Sequence, residues 1–210
     1  MNTARFDKIE KNVLAQIYQI FSDIFDSTQI LDANKRLIKS QLCLVLIAAD
    51  AFSRFYQALT DENYDIDNED FHSEGRFRNW LDKFVLNSSN EVYRKNKSKI
   101  NCDSKIIFDI RNALIHSYGL PRKRSVNFGF PPLEESKWKE FKKFYYKRTG
   151  KHIQIIDPYI LKQAIFQGFV EQRDILVDMI KNNAQKYIKG ILKLNKILKE
   201  EGTMFIEYKN

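Results

Sequence analysis

Across 210 residues this chain carries only seven glycines and four prolines. An all-β fold of that length needs many tight turns, and those residues supply the backbone angles that turns demand. Long stretches without breakers instead favour helices, and the apolar spacing agrees. Phe6, Ile9, Val13, Ile17, Ile20, Phe21 and Ile24 recur at helical intervals, so the spacing predicts a helix over 6–25. After a polar connector at 26–34, a second helix is predicted over 35–59. Its centre, 42–52, is apolar nearly all round, as befits the middle helix of a bundle. Asp50 interrupts that stretch, so it sits near an exposed edge or pairs with a cation.

Further along, Phe77, Trp80, Leu81, Phe84 and Val85 mark the buried face of a third helix, drawn from Ser73 and from 76–86. The polar stretch 87–101 is read as partly helical. Asp103 is placed to cap a helix from Ser104 to Tyr118, which Gly119 and Pro121 stop. Two short β-like runs follow, 125–130 and 152–156, expected to pair as a small two-stranded ribbon with 138–146 between them. Pro158 suits a helix start, and helices are predicted over 159–180 and 184–198. The expected fold is mainly α. It is read as one domain over 1–210, with a small β-containing insertion at 121–157 after the fourth strong helix and C-terminal helices over 158–210.

Composition excludes several classes. With 43% hydrophobic and 30% charged residues, the chain is too apolar for disorder. Its longest apolar run, 42–49, is well short of the ~20 residues that span a bilayer, and 1–12 has no apolar signal-peptide centre. A cytoplasmic location without membrane attachment is expected. Two cysteines, Cys43 and Cys102, make no disulfide framework and no zinc motif. Asp65, Asp67 and Glu69 alternate like the start of a calcium loop, but Asp70 and Arg76 stand where that loop needs glycine and glutamate. No cofactor or metal is expected. His72 and His152 lack spaced partners and read as surface residues.

The charge is lopsided. Residues 1–120 hold 16 Lys+Arg against 17 Asp+Glu, whereas 121–210 hold 19 against 10. The whole basic excess therefore lies in the second part, which suits an anionic partner such as nucleic acid or merely solvates exposed helix faces.

One stretch concentrates reactive groups: Asp109-Ile-Arg-Asn-Ala-Leu-Ile-His-Ser-Tyr-Gly119. On a helix Asn112 and His116 lie one turn apart on one face, while Arg111 and Tyr118 lie on a neighbouring face. A permanent cation, a titratable acid/base and an amide thus meet at one helix end. RNA cleavage can use such groups without a metal. The ribose 2′-hydroxyl must lose a proton and the departing 5′-oxygen must gain one, and histidine titrates in the right range for both. Arginine can hold the phosphate in a forked contact. As scaffold, the same residues would have His116 capping carbonyls and Arg111 paired with Asp50 or Asp109.

Arg111-Asn112-Ala-Leu-Ile-His116 resembles the R-x-x-x-x-H signature of HEPN domains, with its polar first x. With Tyr118 the string is also similar to the R-x-x-x-x-H-x-Y motif of HEPN toxins paired with MNT nucleotidyltransferases. The resemblance covers 6–118 and implies a HEPN-like helical bundle and a metal-independent endoribonuclease, a toxin or defence effector. Arg111 and His116 would be catalytic, with Asn112, Tyr118 and Asp50 supporting. It further implies a homodimer whose copies face each other across the cleft, and a cognate antitoxin or a nucleotidyltransferase that modifies Tyr118. Because each chain offers one histidine, two copies of His116 would share the base and acid roles. The chain extends some ninety residues beyond the motif, further than the short MNT-paired toxins do. The alternative is a non-catalytic HEPN-like module that binds nucleic acid or a protein.

Overall fold

A computed structural model describes residues 3–32, 34, 37–66, 73–117, 127–129 and 135–202. The described residues form a helical bundle: α1 (Thr3–Asp32), α2 (Ile38–Thr60), α3 (Ser73–Phe84), α4 (Glu91–Ile100), α5 (Ser104–Ser117), α6 (Trp138–Thr149), α7 (Pro158–Asn183) and α8 (Ile188–Gly202). Helix α2 is central and packs on α1, α3, α5, α7 and α8. It is long and apolar enough to cross a membrane, but 56% of its most apolar window is buried inside the bundle. That burial accounts for its all-round apolar centre.

The heart of the core is aromatic. Phe52 of α2 stacks on Phe169 of α7 at 4.8 Å between centroids, and Trp80 of α3 lies 5.5 Å from the same ring. Gln172 ties these three helices together: its Oε1 accepts from Trp80 Nε1 at 2.5 Å, and its Nε2 donates to the Phe52 carbonyl at 2.6 Å. A buried amide with both ends used costs little and fixes the helix register. Phe77, Trp80, Leu81, Phe84 and Val85 are all buried, as the spacing of the third helix predicts. Where α8 crosses the end of α2, only glycine fits, since a Cβ on Gly190 would collide with the Leu59 carbonyl oxygen.

Several boundaries differ from the sequence reading for tertiary reasons. The expected connector at 26–34 is helical to Asp32. Gln41 Nε2 donates to the Leu31 carbonyl at 2.8 Å, and the buried Lys162 ammonium of α7 contacts Asp32 and Gln41. These partners from distant chain segments satisfy a helix end that its local sequence marks only weakly. The stretch read as partly helical contains α4, capped by Asn90. That side chain accepts from Tyr93 N and donates to the carbonyls of Phe84 and Ala164, locking α3, α4 and α7 together.

Two three-residue strands, β1 (Asn127–Gly129) and β2 (Ile153–Ile155), pair in parallel, with Phe128 opposite Gln154. A parallel pair needs a crossover, which here contains α6, so the element is no hairpin. Among the described residues this is all the strand present, and the chain is mainly α.

Candidate functional site

Helix α5 begins as its sequence predicts. Asp103 Oδ1 accepts from Ile106 N at 2.7 Å, closing the N-terminal cap. Ile107, Ile110 and Leu114 are buried against α2 and α3, which leaves Arg111, Asn112, Ile115 and His116 toward the edge of the bundle. His116 is exposed and hydrogen-bonds to nothing among the described residues. Tyr118, Gly119 and Pro121 lie outside the described residues.

Arg111 is held from two sides. Its Nη2 pairs with Asp50 Oδ2 across α2, and its Nη1 donates to Asn112 Oδ1 at 2.8 Å. The second contact draws the guanidinium toward Asn112, the residue one turn before His116 on the same face. Phe108, one turn earlier, lies under the cation at 6.0 Å. Arg111 Nε is buried without a hydrogen bond among the described residues, so this guanidinium is not a fully satisfied scaffold bridge.

Asp50 therefore pairs with a cation, and in fact with two. Its Oδ1 takes Arg76 Nη2 of α3 at 3.0 Å, and Arg76 Nε donates to Ser53 Oγ at 3.1 Å. Ser53 Oγ in turn donates to the Asp50 carbonyl at 2.6 Å. Side-chain exposure falls from 21% at Arg111 to 18% at Asp50 and 8% at Arg76, so the network runs from the surface inward. One carboxylate thus holds two guanidinium groups, in a setting less screened than open surface. Of the two scaffold pairings open to Arg111, the one with Asp50 forms and the one with Asp109 does not; Asp109 instead meets Lys105 at 3.4 Å, and Lys105 also meets Glu74 at 2.8 Å.

Arg76 and Ser53 are the members that sequence reading missed. Arg76 enters that reading only as the residue that rules out a calcium loop. Ser53 lies one turn after Asp50, a weak cue at best. Arg76 also lines a cleft of about 380 Å³ between α2 and α3, with Ser53, Tyr56, Gln57, Asn79 and Lys83. Among the described residues lining this cleft, the charged ones are Arg76 and Lys83.

The two cysteines, Cys43 and Cys102, are not bonded to each other. Both are free thiols, and burial pushes each one up, Cys102 to about 12; Arg111 partly opposes the rise at Cys43. Among the described residues no cluster of His, Cys, Asp or Glu could hold a metal ion. His72 lies outside the described residues, and His152 is exposed, as expected. No protein-family model, curated protein or solved structure matches this chain.

Proposed function

We propose that the chain is a HEPN-like, metal-independent endoribonuclease. The observation that carries this reading is the contrast on one helix end: an anchored guanidinium at Arg111 and an exposed imidazole at His116 with no protein partner among the described residues. An arginine that must receive charge building on phosphate oxygens works best when its position is set beforehand, and Asp50 and Asn112 set it. A proton-transfer group needs open access to substrate, which His116 has.

In this mechanism the ribose 2′-oxygen loses its proton to His116 and attacks the adjacent phosphorus. The P–O5′ bond breaks, and the leaving oxygen takes a proton from His116 of a second copy. The products are a 2′,3′-cyclic phosphate and a 5′-hydroxyl. Arg111 steadies the phosphate, and Lys83, lining the cleft between α2 and α3, favours a neighbouring phosphate. The dimer has some support in surface chemistry. Ile47 on α2, one turn before Asp50, and Ile115, next to His116, are both exposed and could meet their counterparts across a two-fold axis. A cytoplasmic toxin or defence role, with an antitoxin or nucleotidyltransferase acting on Tyr118, belongs to the same reading.

One observation favours a second reading, a HEPN-like module that binds without cleaving. Arg111 already spends one nitrogen on a carboxylate, as a structural arginine would. The test separates the two. A mixed RNA substrate is incubated in EDTA with wild type and with His116→Ala. Cyclic-phosphate ends formed by the wild type and lost in the variant support the nuclease. RNA retained by both proteins and cleaved by neither supports the binding module.

A further inference from the structure

Helix α6 differs from every other helix in burying no residue at all. Trp138, Phe141 and Tyr145 fall on one side and are half-buried. The opposite side gathers Lys139, Lys142, Lys143 and Lys147 around Tyr146, all five exposed. Lys139 with Lys143, and Lys143 with Lys147, are like charges one turn apart, a spacing that weakens a free helix. None of the four ammonium groups meets a carboxylate among the described residues. An anion along this face would relieve that repulsion.

Tyr146 adds a second element. Its ring is 50% exposed and is stacked on His152 just before β2, with centroids 4.7 Å apart and planes 27° from parallel. The imidazole props one side of the phenol, and so holds an aromatic surface within a row of cations. Base–aromatic stacking beside lysine-held phosphates is how proteins grip single strands without reading sequence. A lipid surface would call for clustered apolar side chains. Here the other exposed aromatic of the helix, Phe144, lies between Glu140 and Arg148, away from Tyr146.

We propose that α6 is a platform for single-stranded RNA, with a base stacked on Tyr146 and backbone phosphates along Lys139, Lys142, Lys143 and Lys147. The proposal rests on the reading that this chain acts on RNA, and it assigns strand capture to an element separate from the Arg111–His116 site.

The test measures anisotropy of a fluorescein-labelled twelve-nucleotide RNA with the His116→Ala protein in EDTA, across a salt series. Tyr146→Ala is expected to weaken binding about tenfold and Tyr146→Phe to leave it unchanged. The double variant Lys142→Ala/Lys143→Ala keeps every aromatic, so it checks the platform even if Tyr146→Ala disturbs α6. It should lower the slope of log affinity against log salt by roughly 1.4, about 0.7 for each phosphate no longer neutralised. Unchanged affinity in Tyr146→Ala together with an unchanged slope in the lysine pair would overturn the platform. So would variants that lose binding to phosphatidylserine vesicles while holding RNA as before. RNA binding through α6 with no cleavage by the wild type would keep the platform and discard the nuclease. Cleavage at an undiminished rate by all α6 variants, with RNA binding intact, would do the reverse.

Discussion

Helices α2 and α6 both carry several aromatic rings, yet they meet opposite fates. Helix α2 buries eleven residues against five neighbouring helices, whereas α6 buries none, and among the described residues it packs chiefly on β2 and on residues 135–137. The difference lies in how the apolar residues are arranged against what surrounds them. In α2 they cover most of the circumference, and the bundle closes around them. In α6 a narrow aromatic strip is half-buried, and the rest is exposed lysines with Glu140, Arg148, Phe144 and Tyr146 among them. One helix holds the fold, and the other leaves its charged face in solvent. The Arg111–His116 site stands between these extremes, with its arginine rooted in the packed core through Asp50 and its histidine in water.

The sharpest way to break this comparison is to cut an aromatic from each helix. Phe52→Ala removes a ring packed on Phe55 and Phe169, and should cost about 3–5 kcal/mol in urea unfolding. Phe144→Ala on α6, where the ring is 61% exposed, should stay within about 0.5 kcal/mol. Similar losses from both would show that α6 is packed more tightly than its exposure indicates.

A somewhat smaller effect is expected at the boundary between core and site. Asp50→Ala leaves Arg76 and Arg111 facing each other without their shared carboxylate, and should cost about 3 kcal/mol. Asp50→Ala combined with Arg76→Met should recover a good part of it by removing the buried charge. If the proposed nuclease is right, that double variant folds but cleaves slowly, because Arg111 is no longer positioned. Thermal melts and cleavage assays on the same preparations separate the two effects.

The smallest effect concerns pH. Burial holds the Cys102 thiol protonated up to about 12, whereas the unfolded chain releases that proton near the ordinary thiol value of 9.0. The folded pKa is raised, so the contribution is fully present below pH 9 and is lost as pH rises toward 12. Stability should decline over that window, and less steeply in Cys102→Val. Chemical denaturation at about pH 8, 9 and 10 would check the sign. A parallel decline in both proteins would assign the loss to other groups.

Much of the bundle was legible from spacing alone. The buried stripe of α3, the Asp103 cap of α5 and the proline start of α7 are local signals, written within a turn or two of the residues that use them. The tail of α1 was not legible, because Gln41 and Lys162 satisfy its end from 10 and 130 residues away. Within the site, the pattern from Arg111 to His116 shows in the sequence because one helix carries it. Asp50 was visible as an acid out of place in an apolar helix, with Arg111 as one candidate partner, but its second partner, Arg76, was not foreseen.

By itself, then, the amino-acid order determined that this chain is helical, where most helices run, and that a cation and an imidazole share one helix end. Periodicity, capping and breaker residues act over a few positions, and a single sequence displays them directly. Only the tertiary structure decided that Arg76 and Arg111 divide one carboxylate, that His116 remains in solvent, and that Tyr146 rests on His152 within a face of lysines. Those outcomes depend on which helix faces meet, and that choice is made by packing the whole core at once.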